Sequence, residues 1–220
     1  MNFERFFNSK FYKFLELLYR LIITNIFGIL ATLLGLGIFS LMSSLVSMII
    51  ILKSINTNTE FPIIKVFFRS FIKNYKRIVP LSLFYYGLTL LAIFNFFFFR
   101  EGFIEFGTVV NEIAFYLSIA IVLIIIAAFI NACYIYVYFP NLNNKKIIKY
   151  SFSLFRVIII QMFVMIVYIL LAIFLLYVFP YILIFLYFSL GLLIINLLIR
   201  FTYQKLVADG VTSLDAFMYK

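Results

Sequence analysis

From Leu21 to Leu52 the chain carries no charged residue, a run of 32 positions. As a single helix this run would be about 48 Å long at 1.5 Å per residue. Fitting it into a hydrocarbon core of about 30 Å needs a tilt of about 50°, beyond the usual range. Gly35 and Gly37 lie near its middle, and SLMSSLVS follows, small and polar enough for close helix contact. The pattern predicts a tight hairpin of two short spans, about 21–36 and 39–52. Later apolar runs predict further spans over Pro80–Phe99, about Ile113–Val137, Val157–Tyr177 and Tyr181–Ile199, with Pro180 at the turn between the last two. The expected fold is all-α, a single integral membrane domain over residues 1–220 with about six transmembrane helices.

The polar stretches between the runs are patterned as well. In FPIIKVFFRSFIKNYKR, Phe61–Arg77, the residues Lys65, Arg69, Lys73 and Lys76 follow at steps of four, four and three, so they share one helical face. Ile64, Phe67, Phe68, Phe71, Ile72 and Tyr75 occupy the rest of the circumference. A cationic stripe opposite aromatic residues, beside bilayer-length runs, suits a helix lying in the membrane interface. The alternative is a solvated connector helix whose charges only orient the chain. The N-terminal segment, with Arg5, Lys10, Lys13 and Arg20 among Phe and Leu, reads as a second interfacial helix, in which Glu16 and Arg20 are placed to pair. FPNLNNKKIIKYSFSLFR is the third basic segment: Pro140 and the Asn cluster break the preceding helix, and Lys145, Lys146, Lys149 and Arg156 restore positive charge.

Topology follows from these charges. With the N-terminus, the connectors 53–77 and 138–156 and the tail on the cytoplasmic side, 17 of the 18 Lys and Arg are inside and only Arg100 is outside. Six spans with both termini cytoplasmic satisfy the positive-inside rule, whereas five spans with an external N-terminus do not. A weak internal echo accompanies this. Ile63-Ile64-Lys65 leads to Phe68 and Phe71, Ile147-Ile148-Lys149 leads to Phe152 and Phe155, and each precedes an LLAIF (Leu90–Phe94 and Leu170–Phe174). The echo fits three units of basic helix plus hairpin starting near 2, 61 and 142; biased composition also produces such matches.

Composition narrows the chemistry. A chain 66% hydrophobic and 12% charged lies outside the range of soluble domains. The net charge of +10 sits in juxtamembrane clusters without any nucleic-acid-binding motif, so topology and anionic lipid headgroups account for it and nucleic acid is not an expected partner. Histidine is absent and Cys133 is the one cysteine, which excludes Ser-His and Cys-His catalysis, an intrachain disulfide and the usual zinc ligand sets. There is no phosphate-binding glycine motif and no cleavable secretory signal is expected. No carboxylate falls inside the predicted spans, which counts against an ion- or proton-driven transporter. No cofactor, metal or catalytic residue is expected. Polar residues inside the spans include Asn25, Asn131, Gln161 and Asn196. Such amides serve either as interhelical hydrogen-bonding groups or as the lining of a solute pathway. The 31 Phe and 16 Tyr are what an AT-rich genome produces, and phenylalanine runs such as Phe96–Phe99 carry no separate inference.

Two phrases, NIFGILATLLGLGIFSLMSSLVSMIIILK and FPIIKVFFRSFIKNYKRIVPLSLFYYG, occur in that order across a short polar turn. This arrangement resembles the YesL-like family of bacterial integral membrane proteins, through Phe61, Ile64, Phe68, Arg69, Phe71 and Lys73. The proline and tryptophan often found around the first hairpin of that family are absent here. The resemblance implies a bacterial plasma-membrane protein of unknown activity, an accessory or scaffold component linked to carbohydrate uptake and a transporter complex. The competing reading is a small facilitator or channel for a neutral or anionic solute, which requires the amides to converge on one cavity.

Overall fold

The computed structural model describes residues 10–55, 62–100, 108–153, 159–178 and 186–208. Within them the chain forms seven helices: α1 Lys10–Leu34, α2 Leu41–Ile55, α3 Ile63–Arg100, α4 Thr108–Tyr138, α5 Asn144–Ser153, α6 Ile159–Val178 and α7 Phe188–Ala208. Three of them, α1, α3 and α4, are long and apolar enough to cross a membrane. Glu101, Glu105 and the start of the last two predicted spans lie outside the described residues.

The expected hairpin is present, and its turn is built from the glycine-rich middle of the run. The Gly37 amide donates to the Thr32 carbonyl at 2.8 Å and the Leu36 amide to the Leu33 carbonyl at 3.2 Å. That pair of bonds is a Schellman closure. Its left-handed position, usually glycine, is held by Leu36 with φ 62°, and Gly37 follows with φ 62°. Gly35 is required by contact: a Cβ there would meet the Ser40 Cβ at 2.3 Å.

α2 is the centre of the bundle, with α1, α3, α4 and α7 packed around it. Every residue from Met42 to Ile49 is buried, as are Ile51 and Leu52. A helix enclosed on all sides needs no polar face, but it needs its neighbours close. The serines permit this. Ser44 Oγ donates to the Gly28 carbonyl at 2.6 Å, and a Cβ on Gly28 would come within 2.5 Å of Met48 Sδ. α2 itself, with 15 residues, is about 22 Å long and falls short of the hydrocarbon core.

The basic stretch departs from expectation. Rather than an interfacial helix followed by a separate span, Ile63–Arg100 is one helix of 38 residues, about 57 Å, continuous through Pro80. Pro80 forfeits only the bond to the Lys76 carbonyl. The aromatic side of the basic half is covered by protein. Phe67 is fully buried, and Phe27 of α1 packs on Phe67 and Phe68 with centroids 6.3 and 5.7 Å apart. α1 covers only part of the apolar side, since Ile64 and Ile72 are exposed, and Lys65, Arg69, Lys73 and Lys76 are exposed as well. α1 likewise runs unbroken from the basic segment into the apolar run, and Arg20 pairs with Glu16 at 2.5 Å.

α4 begins at Thr108, five residues before its predicted span, and the break before α5 lies at Phe139–Asn143 as expected. α7 continues past Ile199 to Ala208, because Leu192, Asn196, Ile199 and Tyr203 extend one buried stripe at helical spacing. The three-unit echo gains no common packing. The basic segment is fused to the next helix in the first two units; in the third, residues 154–158 between α5 and α6 lie outside the described residues.

The Gly28 contact yields a prediction. Gly28→Val should overpack the α1–α2 approach and destabilise the fold by about 1–3 kcal/mol. The thermal midpoint of the helical circular-dichroism signal in detergent should fall, whereas Gly87→Val, in open space, should change it much less. Equal midpoints for the two variants would show that α1 and α2 do not depend on this approach.

Candidate functional site

Three of the four intramembrane amides are described in full, and each is completely buried. Asn131 of α4 donates through Nδ2 to the Ser151 carbonyl at 3.1 Å and accepts at Oδ1 from the Tyr203 hydroxyl. Tyr203 lies edge-on to Tyr138, with centroids 5.5 Å apart, and the Tyr138 hydroxyl donates to Asn196 Oδ1 at 3.0 Å. Ser151 Oγ also meets the Tyr85 hydroxyl at 2.5 Å. One polar seam therefore joins α3, α4, α5 and α7. Asn25 stands apart: its Oδ1 accepts the backbone N–H of Ser189 on α7 at 3.0 Å. The side chain of Gln161 lies outside the described residues.

None of the described amides lines the half-open interhelical cavity of about 350 Å³ bordered by α2, α3, α4, α6 and α7. Its walls are apolar and aromatic, with Leu45, Tyr85, Tyr86, Phe129, Tyr168 and Tyr187 prominent. The hydroxyls on these walls are largely committed to the protein. Tyr85 meets Ser151, and Tyr168 and Tyr187 each donate to the other's backbone carbonyl at 2.5 and 3.0 Å. Among the described residues no acid, base or thiol lines the cavity, and Cys133 is fully buried elsewhere in the core. Among the described residues no group of three or more His, Cys, Asp or Glu is gathered as a metal site.

The basic residues are organised by one that sequence reasoning counted only as charge. Arg77 sends Nη1 to the Pro140 carbonyl at 2.6 Å and Nη2 to the Leu142 carbonyl at 2.5 Å, and its own carbonyl accepts from Asn144 Nδ2 at 3.0 Å. Its guanidinium also lies 5.0 Å from the Tyr136 ring centroid, and the Tyr136 hydroxyl donates to Asn74 Oδ1 at 3.1 Å. This fork fastens the end of the basic run on α3 to the loop before α5, setting Lys76 and Lys145 on neighbouring elements. Lys53 ends α2 with its ammonium 4.2 Å over the Tyr138 ring, where partial desolvation lowers its pKa. The carboxylates among the described residues are Glu16, bonded to Arg20, and Glu112, at the far end of α4. No counter-charge from the described residues offsets the basic face.

The tyrosine partners were legible only as spacing: Tyr134 and Tyr138 are four apart on α4, facing the 192–196–199–203 stripe of α7. Arg77 carries no local signal beyond ending the run.

If the fork holds the connectors together, Arg77→Lys should destabilise the protein by about 1–3 kcal/mol, because an ammonium cannot span two carbonyls in the guanidinium's planar geometry. Lys76→Gln, an exposed neighbour, should leave the detergent melting midpoint within experimental scatter. A melting curve for Arg77→Lys that overlays the wild type would show the fork to be dispensable.

Residues 21–96, about a third of the chain, match the family model described as Protein of unknown function, DUF624. The match covers the apolar part of α1, all of α2 and nearly all of α3, and so includes the Gly28–Ser44 approach and the turn at Gly35–Ser40. No curated protein and no solved structure matches the chain.

Proposed function

We propose that this protein is a non-enzymatic accessory or scaffold component of a bacterial plasma membrane that gathers anionic lipid headgroups on its cytoplasmic face. The observation that carries this reading is the basic surface around Lys65, Arg69, Lys73 and Lys76, continued by Lys145 across the Arg77 fork, without a carboxylate among the described residues beside it. Its orientation rests on the charge partition, which sets 17 of 18 cationic side chains and both termini inside. Each basic residue at an anionic surface contributes about 1 kcal/mol, screened by salt, so four exposed cations favour anionic over neutral lipid by a few kcal/mol. The resemblance to YesL-like proteins extends the proposal to a place beside a carbohydrate-uptake system and its transporter. The facilitator reading has less support: Asn25, Asn131 and Asn196 are bonded between helices and do not meet on the cavity, whose walls suit no hydrated solute.

The test uses the full chain in nanodiscs of mixed phosphatidylglycerol and phosphatidylcholine. Replacing Lys65, Arg69, Lys73 and Lys76 with Gln together should remove most of the enrichment of phosphatidylglycerol around the protein and its dependence on salt. The melting midpoint should stay close to wild type, since all four side chains are exposed. Undiminished, salt-dependent enrichment in the quadruple variant would overturn this assignment.

A further inference from the structure

The turn between α1 and α2 is unlike a turn that meets water. Leu33, Leu34, Leu36, Ile38 and Phe39 are exposed by 69%, 80%, 77%, 51% and 38%, and no charged residue occurs between Leu21 and Leu52. Its backbone is also largely closed on itself. Of the amides from Gly35 to Leu41, all but that of Phe39 donate to carbonyls of residues 31–37. Ser40 Oγ donates to the Thr32 carbonyl at 2.8 Å, and Ser82 Oγ of α3 donates to the Ile38 carbonyl at 3.0 Å. Apolar side chains outward and backbone groups satisfied inward are what a segment in hydrocarbon requires, because water is not there to complete its hydrogen bonds. The Leu36 conformation points the same way. A left-handed leucine costs about 1–2 kcal/mol relative to its ordinary conformation, and here it turns a large apolar side chain, 77% exposed, outward from the tip.

The bond from Ser82 also fixes how far the turn reaches. α1 runs alongside the basic half of α3, with Phe27 on Phe67 and Phe68 and Ile38 at Ser82. Beyond Ser82, α3 continues to Arg100, about 27 Å further at 1.5 Å per residue. There it is paired with α4 through Phe96 and Phe115, 5.0 Å apart. Leu90, Leu91, Phe94, Ile113, Tyr116 and Leu117 are exposed on this projecting pair. Its length is nearly that of a hydrocarbon core, about 30 Å. In the other direction, Ser82 lies five residues, roughly 7 Å, from Arg77. A turn fastened there reaches only a short way past the basic face. That distance falls within the depth of about 5–10 Å at which apolar faces settle into the headgroup and acyl boundary.

We propose that residues 33–39 form an apolar tip inserted into the acyl region of the inner leaflet, so that α1 and α2 enter and leave by the cytoplasmic face without crossing the bilayer. The inward direction rests on the charge-based orientation given above, and the charge partition is unchanged because both ends of the hairpin stay on one side. The partner of this surface is lipid hydrocarbon.

The experiment uses single cysteines in the full chain with Cys133→Ala: Leu34→Cys and Ile38→Cys at the tip, Thr108→Cys and Asn141→Cys as orientation markers. A membrane-impermeant maleimide is applied to right-side-out and inverted vesicles, and each variant is labelled again after denaturation to normalise the signal. The tip cysteines should resist the reagent from both faces, and an environment-sensitive fluorophore attached there should be quenched by lipids spin-labelled along the acyl chain. Labelling of the tip from outside would restore a fully crossing hairpin and overturn the proposal. Labelling from inside would place the tip in water and overturn it equally. Protection from both faces without quenching by spin-labelled lipid would assign the surface to another protein or a second copy instead. The markers separate this outcome from orientation: Asn141→Cys labelled from outside would reverse the assigned sidedness, whatever the tip reports.

Discussion

The fold depends on enclosing α2. A helix with no exposed apolar or polar stripe can be placed only where other helices surround it, and its neighbours must then approach without large side chains between them. Gly28, Ser43, Ser44 and Ser47 supply that room at the α1–α2 level, and the carbonyl of Gly28 gives Ser44 its hydrogen-bonding partner. Van der Waals contact at short range contributes the attraction that water would otherwise drive in a soluble core. Once α2 is enclosed, α3 must follow the hairpin with its aromatic side inward, which leaves its lysines and arginine on the outer surface.

Hydrogen bonding in the interior has the same character. Asn131, Tyr203, Tyr138 and Asn196 form a sequence of contacts in which the amide and phenol groups meet one another or the backbone. In a medium of low polarity each such group is costly when left alone and valuable when met. The Nδ2 of Asn196 has no protein partner among the described residues, as have Thr24 Oγ1 and Ser43 Oγ. Asn144 Oδ1 of α5 is in the same position, so the imperfectly matched groups are spread over α1, α2, α5 and α7.

Much of the architecture was legible because it is local. The hairpin followed from a charge-free run too long for one helix and a glycine pair in its middle, and the break before α5 followed from Pro140 and its asparagines. The continuity of α3 was hidden because Pro80 and the change from basic to apolar composition both resemble a boundary, whereas the helix tolerates one missing amide. The role of Arg77 was hidden for a different reason. Its partners, the carbonyls of Pro140 and Leu142, are more than sixty residues away and have no side-chain identity to read. The tyrosines were discounted as compositional, yet Tyr85, Tyr134 and Tyr203 are among the largest fully buried side chains. The hydroxyls of Tyr85, Tyr138 and Tyr203 make the seam, and only the pairing of α4 with α7 reveals it. The amides were recognisable as buried polar groups, but nothing in one sequence distinguishes a bond between helices from the wall of a pathway.

The bond between Asn25 and Ser189 joins positions 164 residues apart. A chain made from its N-terminus exposes α1 and α2 long before α7 exists. During that interval the serine-rich centre of the bundle has no closing wall, and the helix that carries Ser189 has not been synthesised. The hairpin must therefore wait in the membrane as an incomplete half-site, held by α3 and α4, until the C-terminal helix arrives. Assembly is thus ordered in time by a contact that binds the beginning of the chain to its end, and a truncated chain loses the enclosure of α2 rather than a peripheral helix.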